Sequence, residues 1–531
     1  MQPPAEFKTL PDMLRWRVAE TPEQAFLRMG ERSLTYAEFD ARTDELAGGL
    51  LELSVSPGDV VSVMLPNCIE FIEAWWAVLK VGGVFGPVNP AYTGSEAGYV
   101  IGHSQAVAVV TNAHGASLLA GQRGDLLKLR TVISLDGGGD AAFDQLLSPA
   151  APITSPGRGP DDLAAILYTS GTTGKPKGVM LSHRNQLVNA AQGAEVVPLS
   201  PGERVGMLLP LFHVNAQVTT TLIPIAIGLE VVMWERFSAS TFWSDVDRLR
   251  PVSISAVPTI LAAVLNAPGA PSSPRETTLR YVICGAAPLS AGLLHAFQEK
   301  FGIRVLEGYG LTETTCISSL NPYYGERKAG SIGLPVRGQK MRIIDGDGQP
   351  LAAGEYGEIV VAGPNVTAGY LDNAEASAEA LRGGWLHTGD IGFADEDGYF
   401  YIVDRSKDMI IRSGENIYPR EIEEVLYAHG GVLECAVIGV PDEYRGEEVL
   451  AVVAPLPGRE LDIGELEAFA ASRLAKYKLP RAYVTRATLP KTATGKISKG
   501  PLREEFGSGR DPRVETGRLT STAPQLRLGA R

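Results

Sequence analysis

Two neighbouring segments, VVSVM (Val60–Met64) and IEFIEAWWAVLK (Ile69–Lys80), determine the predicted fold class. The first is a short run of β-branched and aliphatic residues, typical of a strand, and the second is a longer helical segment. The same order returns at SISAV (Ser253–Val257) and PTILAAVL (Pro258–Leu265). Short strands that alternate regularly with longer helices predict an α/β protein built of layered parallel subdomains. We expect these subdomains to extend to about residue 325.

The sequence changes character after Gly330, where glycine and proline become frequent. Short strands such as KMRIID (Lys340–Asp345) and GEIVVAG (Gly357–Gly363) are separated by tight turns. This pattern predicts a small antiparallel or β-barrel-like subdomain over residues 326–404, which completes an N-terminal domain of residues 1–404. A smaller α+β C-terminal domain is expected over residues 405–506, followed by a disordered tail over 507–531.

Composition supports a globular enzyme with more than one domain. The chain has 531 residues, which is too many for one ordinary core. Hydrophobic residues make up 44% and charged residues 21%, which argues against a disordered chain, a collagen-like fibre or a coiled coil. The formal net charge of −13 argues against a nucleic-acid partner that is bound through a basic face.

Cysteine spacing and hydropathy predict a soluble cytoplasmic protein. The four cysteines are far apart and form no CxxC pair, which argues against a disulfide framework or a structural metal site. The N-terminus has no basic-then-apolar signal region. The most apolar stretch, Val218–Trp234, contains three threonines, a proline, a glycine and Glu230. It is therefore predicted to be a buried helix, turn and strand, not a membrane span.

The segment YTSGTTGKPKGV (Tyr168–Val179) has the composition of a phosphate-binding loop and follows the apolar strand LAAIL (Leu163–Leu167). Its glycines permit positive φ, so backbone N–H groups can converge on an anion, and its hydroxyls and lysines suit a polyphosphate. It is not a Walker A loop, because Pro176 stands where that motif needs Ser or Thr. The residues predicted to bind phosphates are Thr169, Ser170, Gly171, Thr172, Thr173, Gly174 and Lys177.

This segment resembles the signature loop of the adenylate-forming superfamily, which includes acyl-CoA synthetases, peptide-synthetase adenylation domains and beetle luciferase. EGYGLTETT (Glu307–Thr315) is similar to a second motif of that superfamily. The resemblance implies that Tyr309 stacks on adenine, that Thr312 approaches the phosphates and that Glu313 holds Mg²⁺, which takes hard oxygen ligands. It also assigns to the nucleotide site Glu307, Gly308 and Gly310, together with Gly285, Ala286 and Ala287 of CGAAPLS (Cys284–Ser290).

Three motifs nearer the C-terminus resemble the same superfamily: TGD (Thr388–Asp390), DRSKDMIIRSGENIYPREIE (Asp404–Glu423) and LPKTATGKISK (Leu489–Lys499). The resemblance implies that Asp390 and Arg405 bind the ribose hydroxyls, and that Lys496 stabilises charge during adenylation. It makes Lys407 the hinge of a mobile C-terminal domain, and it assigns the tunnel for the thiol arm of CoA to Ser413, Gly414 and Glu415.

The segment PLFHVNAQ (Pro210–Gln217) resembles the motif at the acyl pocket of these enzymes. His213 is the histidine to which we assign a function, as a gate or wall near the carboxylate. It is not predicted to bind a metal, because no second ligand lies at a suitable spacing. The residues predicted to line the acyl pocket are His213, Val214, Gln217, Ala286 and Leu311, which favour a largely apolar acid from fatty-acid or secondary metabolism.

The resemblance implies two half-reactions that need Mg²⁺, with ATP and CoA as co-substrates. A carboxylate attacks the α-phosphate of ATP, giving acyl-AMP and pyrophosphate, and CoA then takes the acyl group as a thioester. Positioning and charge stabilisation suffice, since no GxSxG or Cys/His/Asn signature appears. The C-terminal domain would turn at Lys407 between the steps and exchange Lys496 for the Ser413–Glu415 loop.

Several branches of the superfamily remain open at this stage. An amino-acid substrate is disfavoured because FHVN (Phe212–Asn215) lacks the acid that would hold an α-ammonium group. A luciferase-like oxidase would share every motif, but the sequence gives no positive sign of one. Transfer of the acyl group to a carrier protein and a catalytically silent nucleotide-binding relative are the alternatives to a CoA ligase. Both monomers and homodimers fit the resemblance.

Overall fold

The computed structural model describes residues 7–147, 153, 157–169, 176–234, 236–274, 276–287, 289–405, 408–413, 415–442, 444–456, 458–491 and 497–507. The chain forms two compact units. The first contains the residues up to Thr388 together with Phe393–Tyr401, and the second contains Gly389–Gly392 together with the chain from Ile402 onward.

The strands of the described residues are, in chain order, β1 (Ala25–Met29), β2 (Arg32–Thr35), β3 (Val60–Met64), β4 (Val84–Pro87), β5 (Ala108–Thr111), β6 (Thr131–Ser134), β7 (Ala141–Ala142), β8 (Leu163–Thr169), β9 (Lys177–Ser182), β10 (Arg204–Met207), β11 (Glu230–Met233), β12 (Ser253–Ala256), β13 (Tyr281–Cys284), β14 (Arg304–Tyr309), β15 (Ser319–Leu320), β16 (Leu334–Pro335), β17 (Lys340–Ile344), β18 (Gly357–Ala362), β19 (Leu386–Ala394), β20 (Phe400–Arg405), β21 (Ile410–Arg412), β22 (Glu415–Ile417), β23 (Val432–Asp442), β24 (Gly446–Pro455) and β25 (Ala482–Thr485).

The α-helices of the same residues are α1 (Leu10–Glu20), α2 (Tyr36–Glu52), α3 (Ile69–Lys80), α4 (Gly94–His103), α5 (Ala113–Ala120), α6 (His183–Val196), α7 (Val214–Gln217), α8 (Ile223–Ile227), α9 (Phe242–Leu249), α10 (Pro258–Leu265), α11 (Ala291–Phe301), α12 (Ala374–Ala380), α13 (Pro419–Tyr427), α14 (Ile463–Ala471) and α15 (Lys499–Phe506).

Two largely parallel sheets organise the first unit. One has the order β7-β6-β5-β3-β4-β8-β9, and its pairs are parallel except β8–β9. The other has the order β16-β15-β14-β13-β12-β10-β11-β1-β2, with parallel pairing from β14 through to β1. The predicted mixed α/β fold with parallel sheets is confirmed.

Strand β3 and helix α3 show why the sequence folds in this way. Neighbouring side chains of a strand point to opposite faces, so Val61 and Val63 enter one core cluster while Val60 and Met64 enter another. A strand that is buried on both faces has apolar residues at nearly every position, as in the sequence VVSVM of β3. Helix α3 packs into the first cluster, and its Trp75 and Trp76 are fully buried there.

The apolar stretch Val218–Trp234 forms the predicted helix, turn and strand. A π-helical segment, Val218–Leu222, leads into α8, Gly228 takes a φ of 89° at the helix end, and β11 follows. The hydroxyl of Thr220 donates to the carbonyl oxygen of Ala216 at 2.9 Å, a local bond that competes with regular helix geometry. Within the described residues, no helix has both the length and the hydropathy needed to span a bilayer.

The glycine-rich region after residue 330 is antiparallel, as predicted, but it is not closed. Its sheet has the order β17-β18-β19-β20, and β17 pairs with β18 from Lys340 to Ile344. Within the described residues β17 and β20 are its edges, so of the two predicted forms the sheet takes the open antiparallel one, and no closed barrel is formed. Neighbouring strands are rotated by only about 20–25°, which leaves the edges of a four-stranded sheet far apart.

The second unit is built around the long antiparallel pair β23–β24. One face of this pair, with Val437 and Val449, packs against α13 and α14, whereas Ile438 and Leu450 on the other face pack against α15. Helix α13 begins at Pro419, as predicted, and buries Ile422 and Leu426.

Candidate nucleotide and acyl site

The ends of the glycine-rich loop are held as neighbours in a sheet. Thr169, the last residue of β8, pairs in antiparallel register with Lys177, the first residue of β9. Residues 170–175, which include Ser170, Gly171, Thr172, Thr173 and Gly174, lie outside the described part of the chain. The two remaining predicted residues, Thr169 and Lys177, are thus brought together.

Helix α4 contacts both ends of this loop. The hydroxyl of Tyr99 donates to the carbonyl oxygen of Pro176 at 3.2 Å, just before β9. The hydroxyl of Tyr168, in β8, lies 2.8 Å from Nδ1 of His103. The rings of Tyr99 and His103 stack on each other, with centroids 5.5 Å apart. One helix therefore fixes the chain on both sides of the loop.

The second predicted nucleotide segment lies at the carboxyl edge of the parallel sheet. Cys284 at the end of β13 pairs with Glu307 of β14, which brings Gly285 beside Gly308. The backbones of Gly285 and Gly308 are so close that a Cβ added to Gly285 would lie 2.9 Å from the carbonyl oxygen of Gly308, which leaves no room for a side chain. Ligands of open α/β sheets bind at this edge. The structure thus brings Gly285 beside Gly308; Ala286 and Ala287 follow Gly285 in the chain, and Tyr309 and Gly310 follow Gly308, which is preceded by Glu307.

The turn that carries Thr312 and Glu313 is held by a distant asparagine. Thr315 has a φ of 69°, a conformation that is costly for a residue with a side chain. Its hydroxyl donates to the carbonyl oxygen of Asn365 at 2.6 Å, and Nδ2 of Asn365 donates to the carbonyl oxygen of Thr314 at 2.9 Å. Thr314 and Asn365 are fully buried, so these bonds are shielded from water.

The carboxylate of Glu313 is connected to the start of β9 through one aromatic side chain. The hydroxyl of Tyr370 donates to Oε1 of Glu313 at 3.0 Å. Nζ of Lys177 lies 5.1 Å from the centre of the Tyr370 ring, within the range of a cation–π contact. Burial, together with the negative charge of Glu313, raises the pKa of Tyr370, so its hydroxyl stays protonated and can donate.

The residues present fit Mg²⁺ bound together with a polyphosphate. Mg²⁺ keeps several waters and commonly takes one or two carboxylates plus phosphate oxygens. The half-buried residues of the turn, Thr312 and Glu313, supply one hydroxyl and one carboxylate, which is such a donor set. Among the described residues no group of three or more His, Cys, Asp or Glu could by itself hold a metal ion. The remaining ligands would therefore be phosphate oxygens and water.

The predicted acyl motif forms a loop that leads into α7. Asn67 receives the backbone N–H of Leu211 at 2.8 Å and donates to the carbonyl oxygen of Leu209 at 2.9 Å. His213 precedes α7, and its ring centre lies 4.4 Å from that of Phe212. Nε2 of Gln217 donates to the carbonyl oxygen of Leu211 at 2.9 Å. Gln217 is only 1% exposed, and its amide supports this loop.

The two predicted ribose-binding residues contact each other in the second unit. Nε of Arg405 lies 2.8 Å from Oδ1 of Asp390, whose side chain is only 4% exposed. Oxygen atoms of a carboxylate can accept further hydrogen bonds, so this pair remains able to receive hydroxyl donors. The adjacent Asp404 is also buried, and this burial raises the pKa of its carboxyl group.

The predicted CoA segment is the hairpin β21–β22, in which Arg412 pairs with Glu415. Ser413 has a φ of 54°, and its N–H donates to the carbonyl oxygen of Arg445 at 2.8 Å. The buried carboxylate of Glu448 binds Arg412 at 2.8 Å and Arg445 at 2.9 Å, which holds the base of the hairpin. Gly414, the predicted hinge residue Lys407 and the predicted catalytic Lys496 lie outside the described residues.

Several supporting residues had no signal in the sequence. Tyr370 and Asn365 lie more than fifty positions from the turn they contact, and Asn67 lies 144 positions from Leu211. Tyr99 and His103 belong to a helix that precedes the glycine-rich loop by more than sixty residues. Only a wider set of related sequences, in which these positions changed together with the turns, could have indicated the contacts.

Comparison with known proteins identifies the family. Residues 14–371 match the family described as AMP-binding enzyme, and residues 421–496 match its C-terminal domain. The chain is 39% identical to a feruloyl-CoA synthase of an Amycolatopsis species over 493 residues, which cover 92% of this chain and 98% of that protein. It is 35% identical to a long-chain-fatty-acid–CoA ligase of Bacillus subtilis over 534 residues, which cover 94% of this chain and 95% of that protein.

A solved structure agrees with this assignment. The anthranilate CoA ligase AuaEII in complex with anthranoyl-AMP superimposes with a TM-score of 0.89 at 27% identity, covering 94% of this chain and 97% of that one. The parallel sheets, the glycine-rich loop between β8 and β9, and the turn after β14 are thus parts of a known enzyme architecture. This chain belongs to the family of AMP-binding enzymes and, within it, to the AMP-forming acid–thiol ligases.

Proposed function

We propose that this enzyme activates a carboxylic acid with ATP and then transfers the acyl group to CoA. In the first step a carboxylate oxygen attacks the α-phosphorus, the bond to the β-phosphate breaks, and pyrophosphate leaves. In the second step the CoA sulfur attacks the acyl carbon, and AMP leaves. The observation that carries this proposal is the connection of Lys177, beside the glycine-rich loop, to the carboxylate of Glu313 through Tyr370.

Each residue of the site has a proposed role that follows from its chemistry. Backbone N–H groups of the loop and Lys177 bind the phosphates, and Tyr309 stacks on adenine. Glu313, beside Thr312, would hold Mg²⁺, which would supply positive charge at the phosphates when bound. Lys496 stabilises the charge that develops between the carboxylate and the α-phosphate. Asp390 and Arg405 bind the ribose, supported by their adjacency in the second unit.

The two half-reactions are proposed to use different positions of the C-terminal domain. We place that domain at residues 405–506, with its hinge at Lys407. The hairpin β21–β22 supports this proposal, because its base is fixed by Glu448 and it can be presented as a rigid element. Ser413, Gly414 and Glu415 would then border the path of the thiol, since glycine at the centre leaves room for it.

The acid is proposed to be largely apolar. Val214, Ala286 and Leu311 offer no charge to a second carboxylate or to an ammonium group, and the rings of His213 and Phe212 pack against each other with their centres 4.4 Å apart. The relatives named for ferulate and long-chain fatty acids both act on acids with a large apolar part. Transfer to a carrier protein is the alternative for the second step, and a monomer or homodimer in the cytoplasm is the proposed form.

The catalytic lysine provides the test of the first half-reaction. Lys496→Ala should lower acid-dependent exchange between pyrophosphate and ATP by about 100-fold or more, because one charge-stabilising group commonly contributes this much. Binding of ATP should persist, since the glycine-rich loop is intact. Lys128→Ala, at an exposed lysine, is the charge-matched control. Exchange at the wild-type rate in the Lys496 variant would overturn the assignment, and a wild-type protein that binds ATP but catalyses no exchange with any acid would point to a silent nucleotide-binding relative.

A further inference from the structure

Residues 364–371 form a strap that lies along β9. The backbone N–H of Met180 donates to the carbonyl oxygen of Gly369 at 3.0 Å, and that of Leu371 donates to Gly178 at 2.8 Å. The hydroxyl of Thr367 donates to the carbonyl oxygen of Met180 at 2.6 Å. The strap is therefore fixed to the strand that begins at Lys177, directly after the glycine-rich loop.

The other side of the strap contacts the turn that carries Glu313. The backbone N–H of Thr367 donates to the carbonyl oxygen of Glu313 at 2.8 Å. Asn365 exchanges hydrogen bonds with Thr314 and Thr315, which fixes the backbone of the turn. The strap thus sets the distance between the loop and the turn, although neither of them is close to it in sequence.

Tyr370 extends this connection from the backbone to the carboxylate itself. A glutamate side chain has three rotatable bonds, and fixing them costs conformational entropy when a ligand is bound. The hydroxyl of Tyr370 donates a hydrogen bond to Oε1 of Glu313 at 3.0 Å, and the Tyr370 ring makes a cation–π contact with Nζ of Lys177. This hydrogen bond restrains Oε1 of Glu313, and the carboxylate keeps lone pairs that can bind a cation.

We propose that Tyr370 is a positioning residue that presents the carboxylate of Glu313 to the cation accompanying the ATP phosphates. The proposal deepens the proposed function and rests on it. Tyr370 need not touch the reacting atoms, because it acts through Glu313. Its contribution should appear when ATP is bound together with Mg²⁺ and be absent when ATP is bound without a divalent cation.

The test is Tyr370→Phe, which removes the hydroxyl and keeps the ring over Lys177. Calorimetric binding of ATP, without any carboxylic acid, is measured with Mg²⁺ and with a chelator. We expect affinity for ATP with Mg²⁺ to fall roughly tenfold, the usual effect of losing a hydrogen bond to a charged group. Affinity for ATP in chelator should stay within about twofold of the wild type.

Tyr401→Phe is the matched control, because the Tyr401 hydroxyl also donates to a carboxylate, that of Asp395, at 3.2 Å. It should change neither affinity. In a Glu313→Gln background, Tyr370→Phe should have no further effect. Wild-type affinity with Mg²⁺ in Tyr370→Phe, or an equal loss with and without Mg²⁺, would overturn the proposal. A wild-type protein that binds no ATP would instead refute the proposed function.

Discussion

At the residue scale, polar side chains that are distant in sequence fix the candidate site. Tyr370 holds the carboxylate of Glu313 from a position 57 residues away, and Asn67 holds the backbone on both sides of Pro210. Each of these bonds involves a buried or half-buried side chain, and its acceptor is a carboxylate, amide or backbone oxygen. Leaving such a partner unsatisfied costs more than a surface bond contributes, which explains the use of asparagine and tyrosine at these points.

Burial of His183 predicts a loss of stability in mild acid. His183 starts α6, is 1% exposed, and its Nδ1 receives the backbone N–H of Leu10 at 3.3 Å. Burial, assisted by the positive charge of Arg158 and opposed by Asp162 and Asp12, lowers its pKa from 6.5 to about 4. Between these values the unfolded chain binds a proton that the folded protein excludes, so stability falls as the pH falls.

This effect should be about 2 kcal/mol between pH 7 and pH 5, from 1.36 kcal/mol for each pH unit below the unfolded pKa. His183→Asn keeps an acceptor for Leu10 and removes the titration, so it should lose less stability than the wild type over that interval. The free energy of unfolding in urea at both pH values measures this. His114→Asn, at an exposed histidine, is the control. An equal pH dependence in His183→Asn and the wild type would contradict the assignment.

At the element scale, several predicted site residues lie in turns that follow strands, and one glycine of these turns cannot be replaced without a steric clash. Gly310 lies directly after β14, and a Cβ added to it would overlap the carbonyl oxygen of Cys316. That oxygen belongs to the backbone that returns from the Thr312–Thr315 turn, so it cannot move without moving the turn. Gly292 in α11, by contrast, has open space around the position of a Cβ.

Gly310→Ala should therefore lower the thermal midpoint clearly and weaken ATP binding at least several-fold. Gly292→Ala should leave binding unchanged and stabilise the protein by up to about 1 kcal/mol, because alanine is the better helix former. Thermal unfolding and calorimetric ATP binding check both statements. If the two variants behave alike, the close approach at Gly310 has no structural consequence.

Elements could be predicted from the sequence where their apolar pattern was strong. Strand β3 and helices α3 and α10 occur at the predicted residues, because a short β-branched run and longer helix-forming runs differ clearly in length and composition. The pairing of β1 with β11, across more than two hundred residues, was not predictable from local pattern. The same limit explains why the sequence left both an open antiparallel sheet and a barrel-like subdomain possible after residue 330, since strand pairing at the edges is a non-local property.

At the scale of the whole molecule, the chain divides into two units, and each contains some of the predicted motifs. The first contains the loop ends, the Glu313 turn and the acyl motif, and the second contains the Asp390–Arg405 pair and the β21–β22 hairpin. Motif resemblance could assign these residues to one activity. The strap, the α4 contacts and the asparagines that hold them required the folded chain, because they carry no local signature.

The central claim is that the protein makes acyl-CoA from a carboxylic acid, ATP and CoA. The most direct test is AMP release with Mg²⁺ and ATP across fatty, aryl, polycyclic and short polar acids, with and without CoA, with mass detection of the thioester. We predict AMP release that requires both CoA and one acid with a large apolar part, together with the matching thioester. Acid-dependent pyrophosphate exchange that yields no CoA thioester with any acid in the set would contradict the account.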